Sequence, residues 1–408
     1  MGSEAEYDLN WITSVDDHII EPPNVWQDRV PSKYKDVAPR VIVDDNGRET
    51  WAYEEIRQET GGLGASAGRR PEDITPVGFP YSEMRPGCYD PKARLGDMND
   101  AGILASVNFP SFPRFCGQTF YEAKDKDLAL LCVKAYNDWM IDEWCATDPG
   151  RYIPLAIIPL WDPQLASQEL ERVYAKGCRS FCFSENFEPL GIPTIHTGHW
   201  DPVLRTANDL GMVLSIHIGS SSTFHRISKD SPFMANFSLG MIRPMGCLMD
   251  WIFSGLFQRY PNLKIALSEG SIGWIPWVLE RAQQVYATQR HWVAKGQALG
   301  NVGPVQNSDT QIDTDKIDVY GDYREHFYGC FIDDATGLHM IDVVGEDNIM
   351  IESDYPHSDT TWPHSLKLAH ERLNAAGLSP AVQYKILRGN AEKLYQFAAS
   401  EPPDVLRP

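Results

Sequence analysis

Three short segments of this chain bring acids and imidazoles to places where they can act together. The first is Ser14-Val15-Asp16-Asp17-His18. On an extended strand residues two apart face the same side, so Asp16 and His18 point together while Asp17 points away. The second is His217, in the apolar run Val213-Leu214-Ser215-Ile216-His217-Ile218-Gly219, where an imidazole needs a hydrogen-bond partner or a metal ion. The third is Asp354, which ends Ile349-Met350-Ile351-Glu352-Ser353-Asp354 just before Tyr355-Pro356-His357. Together Asp16, His18, His217 and Asp354 make a set of nitrogen and oxygen ligands that suits Zn, Mn or Fe. No thiolate candidate joins them, which argues against a structural zinc knuckle. In such a site the divalent ion would polarise a substrate oxygen or lower the pKa of bound water, and Asp354 is the candidate general base.

Two further acids stand at strand ends. Glu185 follows Phe183-Ser184, and Glu269 follows Leu267-Ser268. Extra carboxylates beside carboxylate ligands repel them unless one is protonated or a second cation is bound, so Glu185 and Glu269 are the candidates for a second metal. Glu269 is also a candidate catalytic acid or base. The competing readings are a loop carboxylate for Glu185 and a helix-entry acid for Glu269, before Gly270 to Trp274. His357, three residues beyond Asp354, is a further catalytic candidate. His225, His196 and Trp26 are candidate substrate contacts, weighed against surface, capping and core roles.

The elements that must position these residues are legible as eight short apolar runs: Trp11 to Asp16, Gly102 to Phe109, Tyr152 to Leu160, Arg179 to Ser184, Met212 to Ile218, Lys264 to Glu269, His326 to Ile332 and Ile349 to Asp354. Several are apolar without alternation, as parallel strands covered on both faces are. Between them lie helical spacings, such as Leu165 to Lys176, Val203 to Leu210 and Trp274 to Thr288. Eight β/α units predict an α/β fold, a distorted (β/α)8 TIM barrel, with a doubly wound open sheet as the competing arrangement. The chemistry favours the barrel, because the candidate ligands gather at the carboxyl ends of strands. Residues 1–408 then read as one barrel domain. A long insertion of about 31–91 follows the first strand and is a candidate lid or dimer contact. A surface excursion or arm covers about 295–323.

The bulk of the chain bounds its partners. With 408 residues, 43% of them hydrophobic, it can bury a sizeable core. Its 36 Lys and Arg against 56 Asp and Glu give a formal charge of -20, which repels phosphate backbones and anionic lipid, so neither nucleic acid nor membrane is an expected partner. No run approaches the roughly 20 apolar residues that span a bilayer. The eight cysteines form no CxxC pair and sit mostly in apolar runs, which fits a reducing, cytoplasmic setting. A small-molecule substrate and a homo- or hetero-oligomer are the expected partners.

The same residues carry a resemblance. Asp16-Asp17-His18-Ile19-Ile20-Glu21-Pro22, Phe183-Ser184-Glu185-Asn186, His217-Ile218-Gly219-Ser220-Ser221, Leu267-Ser268-Glu269-Gly270, Ser353-Asp354-Tyr355-Pro356-His357 and Ile386-Leu387-Arg388-Gly389-Asn390-Ala391 resemble the amidohydrolase superfamily, in its aminocarboxymuconate-semialdehyde decarboxylase branch. The resemblance implies a distorted (β/α)8 barrel and a metal held by Asp16, His18, His217 and Asp354. An acid at Asp16 is similar to the resorcylate-type decarboxylases. Where those enzymes usually carry a histidine on the sixth strand, this chain has Glu269; Glu185 stands close to where binuclear members place a bridging group. The expected activity is metal-dependent hydrolysis or non-oxidative decarboxylation of a small carboxylated or aromatic compound. The alternatives are a dinuclear iron or manganese oxygenase on the same barrel, or a catalytically silent partner subunit.

Overall fold

The computed structural model describes residues 7–293 and 313–403. All eight apolar runs form strands: β1 (Ile12–His18), β2 (Ile103–Phe109), β3 (Tyr152–Ile153 and Leu155–Ala156), β4 (Ser180–Phe183), β5 (Val213–His217), β6 (Lys264–Ser268), β7 (Phe327–Phe331) and β8 (Ile349–Ile351). Neighbours pair in parallel, β1–β2–β3 in one sheet and β3–β4–β5–β6–β7–β8 in the other. Pro154 divides β3 because proline offers no N–H to a ladder. Its first half therefore pairs with β2 and its second with β4. The ring closes between the end of β8 and β1, where Asp354 N donates to Asp16 O at 2.9 Å and His18 N donates to Tyr355 O at 2.6 Å. This is the distorted barrel that the spacing of the runs predicts. The residues of β1, β2, β4, β5 and β8 are buried throughout, which is why these runs lack polar alternation.

Helices fill the intervals: α1 (Pro91–Ala101), α2 (Lys126–Trp139), α3 (Pro163–Ala175), α4 (Asp201–Leu210), α5 (Ile242–Ile252), α6 (Ile275–Val293), α7 (Val319–His326) and α8 (Ser365–Ala375). The carboxylates of Asp90, Asp125 and Asp162 cap α1, α2 and α3 by accepting first-turn N–H groups, and Pro91 and Pro163 occupy first positions that need no donor. Gly102 takes a left-handed turn at the end of α1 and delivers the chain straight into β2. The helices and strands share one continuous apolar core, in which Trp26, Trp51, Phe112 and Phe120 form an aromatic cluster behind the mouth. All eight cysteines are buried and free.

Between residues 31 and 91 the chain folds a three-stranded antiparallel sheet (Arg40–Val43, Glu49–Tyr53, Ile56–Glu59), followed by short turns. Ile20, Ala65, Phe79, Met84 and Cys88 form a small separate core. Ala67 N donates to Pro356 O at 2.9 Å, and a side chain added at Gly64 would meet the His357 ring at 3.9 Å, so this segment lies against the loop after β8. Of the excursion at 295–323, residues 295–312 lie outside the described residues. Its remainder enters α7, where Val319 and Tyr323 are buried, so the chain belongs to the helical layer from residue 319 onward. No helix among the described residues is long and apolar enough to cross a membrane.

Candidate metal centre

The barrel brings the four sequence-derived ligands into one buried cluster at the carboxyl ends of β1, β5 and β8. His18 Nε2 stands 3.3 Å from Asp16 Oδ1, 3.3 Å from Asp354 Oδ1 and 3.2 Å from His217 Nε2, and His217 Nε2 stands 3.3 Å from Asp16 Oδ2. Atoms that share one ion at the roughly 2.0–2.1 Å usual for imidazole and carboxylate ligands are spaced by about 3.3 Å. Both oxygens of Asp16 and both of Asp354 are buried without a hydrogen-bond donor. Unpaired buried carboxylates are costly, and a cation is the partner this geometry fits.

Both imidazoles turn a ring nitrogen toward the cluster. His217 Nδ1 lies 2.5 Å from Ile218 O; a carbonyl only accepts, so Nδ1 carries the proton and Nε2 keeps its lone pair toward the cluster. Phe115 stacks on the His217 ring at 4.1 Å and fixes its plane. That packing requires glycine at 219, where φ is +88° and a Cβ would stand 3.0 Å from the Phe115 ring. His357 stacks on His18 at 3.6 Å, and its Nδ1 lies 3.0 Å from Asp354 Oδ1. Asp354 and Glu269 both adopt left-handed backbone, φ 54° and 52°, a conformation that costs a non-glycine residue about 1–2 kcal/mol and is held here by the surrounding bonds.

Electrostatics separate the acids. Burial, then Asp354 and Asp17, push the Asp16 carboxyl well above its ordinary range. Burial, then Asp354 and Asp16, do the same to Glu269, whose Oε2 is 3.4 Å from His217 Nε2 and which keeps 25% of its side-chain surface open. Burial works to raise Asp354 too, but the facing His357 and His18 outweigh it and hold that carboxyl below the usual range. Burial, then His18, lowers His217, which favours the neutral ring.

Asp17, on the other face of β1, serves as a brace. Its Oδ1 accepts from Ser14 Oγ at 2.9 Å, Ser353 Oγ at 2.6 Å and Tyr355 N at 3.3 Å, tying β1 to the loop after β8. Buried Arg94 stands behind it, with Nη1 4.0 Å from Asp17 Oδ2, Nη2 donating to His18 O and its guanidinium 4.2 Å over the Tyr355 ring.

Other expected residues fall elsewhere. Glu185 is committed to the loop after β5: its Oε1 accepts from Ser221 Oγ at 2.6 Å and Gly219 N at 3.0 Å, with Arg243 Nε at 3.6 Å. Among the described residues the ligand groups that can share a cation are Asp16–His18–His217 and His18–Asp354–His357, so Glu185 is in neither, and a guanidinium supplies the counter-charge expected from a second metal. Trp26 is no substrate contact. It is fully buried in the aromatic cluster and its Nε1 donates to Cys132 O at 3.0 Å. His196 is held by Asp250, Nε2 to Oδ1 2.6 Å, away from the cluster's bonds, while His225 lies half-buried in the loop after β5.

Sequence reasoning missed three neighbours. Glu352 is buried two residues before Asp354; its Oε2 accepts from Glu269 N at 3.1 Å, its Oε1 has no donor, and burial followed by Asp16 raises its carboxyl. The alternation Glu352, Asp354 was a signal for it. Phe115 and Arg94 had none, since each acts across elements far apart in sequence.

Comparison with known proteins places this arrangement among relatives. The amidohydrolase family model matches residues 24–397. The 2-amino-3-carboxymuconate-6-semialdehyde decarboxylase of Dictyostelium discoideum is 25% identical over 299 residues, covering 68% of this chain and 69% of its own. The gamma-resorcylate decarboxylase of Rhodococcus jostii is 23% identical over 337 residues, covering 76% and 92%. The crystal structure of 5-carboxyvanillate decarboxylase from Novosphingobium aromaticivorans, complexed with manganese and a nitrobenzoic acid, superposes with a TM-score of 0.64 at 16% identity over 96% of this chain and 97% of that one.

Proposed function

The chain belongs to the amidohydrolase family, and on that premise we propose that it catalyses the metal-dependent, non-oxidative decarboxylation of a small aromatic or otherwise unsaturated carboxylic acid. The observation that carries this reading is the cluster of Asp16, His18, His217 and Asp354, with ligand atoms 3.2–3.3 Å apart and four carboxylate oxygens lacking any donor. That both curated relatives are decarboxylases favours this outcome over hydrolysis by the same residues.

A divalent cation such as Mn, Zn or Fe, bound by those four residues, would polarise a substrate oxygen and steady the negative charge that develops as the carboxyl group leaves. The bond from the substrate carbon to its carboxyl group breaks, the electron pair stays on that carbon, carbon dioxide departs and one proton takes its place. Glu269 suits the proton delivery, because its carboxyl is pushed up by burial and by its acidic neighbours and is partly open to the mouth. Asp354 is held ionised by His357 and His18 and can take the proton of a substrate hydroxyl, with the His357 ring nitrogen 3.0 Å away as its charge partner and His357 a contact for a substrate carboxylate. His225 in the β5 loop remains a substrate contact in this reading, and the 31–91 insertion covers the His357 side of the mouth. The test is incubation of manganese-loaded protein with 2,6-dihydroxybenzoate, 5-carboxyvanillate and related ortho-hydroxy acids in heavy water. Release of carbon dioxide with one deuterium on the vacated carbon is expected; no release from any of the panel would overturn the assignment.

A second reading, an oxygenase with two iron or manganese ions, is favoured by one observation. Two ligand groups share His18, and Glu269 and Glu352 add carboxyls beside Asp16 and Asp354. One metal per chain by elemental analysis supports decarboxylation; two, with oxygen consumption, support the second reading. Assembly into oligomers is supported by the exposed, mutually stacked Phe224, Phe233 and Phe237 with exposed Ile227 and Met234. Eight buried, unpaired thiols support a reducing, cytoplasmic setting.

A further inference from the structure

Glu269 follows the last paired residue of β6, Ser268, and enters a left-handed turn at φ 52°. The far side of the turn is fixed by the loop after β7, where Asp334 Oδ2 accepts from Ile272 N at 2.8 Å and Gly273 N at 2.6 Å, and by Trp274 Nε1, which donates to Gly270 O at 2.7 Å. At Glu269 itself the backbone N–H turns to a side chain and donates to Glu352 Oε2 at 3.1 Å. Glu352 stands just past β8, and its own N–H donates to Phe331 O of β7 at 3.1 Å. Its side chain therefore passes β7 to reach β6, a strand with which β8 does not pair. Only 2% of Glu352 is exposed, and its second oxygen has no donor.

Burying a carboxyl with one oxygen unmatched is costly, and a side chain that only filled this space would be apolar. The Glu269 carboxyl, by contrast, makes one close ion contact among the described residues, His217 Nε2 at 3.4 Å. Its direction is set by its backbone more than by bonds to the carboxyl. We infer that Glu352 is the positioning residue for Glu269: it holds the Glu269 amide in the turn that aims this side chain at His217 and the mouth, and it does so as a hydrogen-bond acceptor, not as a charge or a metal ligand. The inference rests on the decarboxylase reading. There the Glu269 proton passes to the carbon that has lost carbon dioxide, the electron pair left on that carbon forms the new C–H bond, and Glu269 recovers a proton from solvent through its open side. A shift of about 1 Å in such a group costs on the order of 10²-fold in rate.

The test compares Glu352→Gln, Glu352→Asp, Glu352→Leu and Glu269→Gln in manganese-loaded protein, with 2,6-dihydroxybenzoate and 5-carboxyvanillate as substrates. Glu352→Gln keeps an acceptor oxygen at the same reach and should retain kcat within about threefold. Glu352→Asp falls a methylene short and Glu352→Leu has no acceptor, so both should lower kcat about 10–10²-fold, with KM and manganese content as in wild type. Added to Glu269→Gln, Glu352→Leu should lower the rate no further, because a residue that acts only through Glu269 then has nothing to position. In metal-free protein the Glu269 amide should exchange with solvent faster in the Asp and Leu variants and at the wild-type rate in the Gln variant. The Gln and Asp variants, which differ least from wild type, decide the matter should Glu352→Leu not fold. Wild-type kcat in Glu352→Asp, equal losses in the Gln and Asp variants, loss of manganese, or additive losses in the double variant overturn the inference and leave the decarboxylase reading standing. A wild-type rate in Glu269→Gln overturns it by removing the role of the group it positions. No carbon dioxide from either acid overturns it together with the decarboxylase reading.

Discussion

On one face of β1, Asp17 accepts from a serine hydroxyl of its own strand, a serine hydroxyl beyond β8 and a backbone N–H, with a buried arginine behind it. On the opposite face Asp16, one residue earlier and equally buried, accepts from nothing and looks at two imidazole nitrogens. The two residues share chemistry, strand and burial, and differ only in whether the fold has paid for their desolvation. The saturated carboxylate is part of the scaffold. Its unsaturated neighbour has the partner of a cation still to gain, and on that contrast rests the proposal that the reactive centre lies on its face of the strand.

The largest effect that would sharpen this contrast is expected at the other unsaturated acid. Asp354→Asn keeps shape but loses the charge that His18 and His357 sustain, so turnover should fall by about 10²–10⁴; steady-state rates near wild type would break the contrast. His217→Ala should reduce bound metal from one per chain to a trace while far-ultraviolet dichroism stays unchanged, because the ligand is lost from a ring of strands that the remaining ladders hold. Full occupancy by elemental analysis would remove His217 from the centre.

The two faces of β1 should then respond unequally in metal-free protein. Asp17→Ala strands three donors and should cost about 3 kcal/mol by urea denaturation. Asp16→Ala removes an uncompensated carboxylate and should cost under about 1 kcal/mol or stabilise. Equal losses would show that Asp16 is structural as well. A smaller effect concerns pH. Burial pushes Asp17 up to about 6 from 3.8 and Glu21 up to about 7 from 4.5, against the pull of their hydrogen bonds. The folded state therefore holds more protons than the unfolded chain, and stability is full below those unfolded values and declines as pH rises through about 6 and about 7. Denaturation of the metal-free protein from pH 4 to 8 should show this fall, and Asp17→Asn should flatten its lower part.

What the sequence disclosed follows the range of each interaction. The strands were legible because apolar runs and short β/α connections are local signals, and the convergence of Asp16, His18, His217 and Asp354 was legible because each lies at or close to the carboxyl end of such a run. The outward turn of Asp17 was readable from alternation, but its role was not, because its partners Ser353 and Tyr355 lie on the other side of the barrel. Trp26 looked available to substrate and proved to be core, since a single aromatic residue does not reveal which others will enclose it. Glu185 looked like a second ligand; only the folded chain shows Ser221, Gly219 and Arg243 converging on it.

The closing seam of the barrel also bears on how the chain keeps its shape. Asp17 and Ser353 meet across 336 residues of sequence, and the flanking Asp16 and Asp354 would grip the same cation from the two sides of that junction. Metal loading would then act as a reversible cross-link between the chain's first and last strands, a staple whose worth is the conformational freedom it denies to an opened ring. Stripped of its ion, the barrel should fray there first: the amides of His18 and Asp354, which cross the junction, should exchange with solvent ahead of those in β5 and β6, and chelators should loosen the ring before they unfold it.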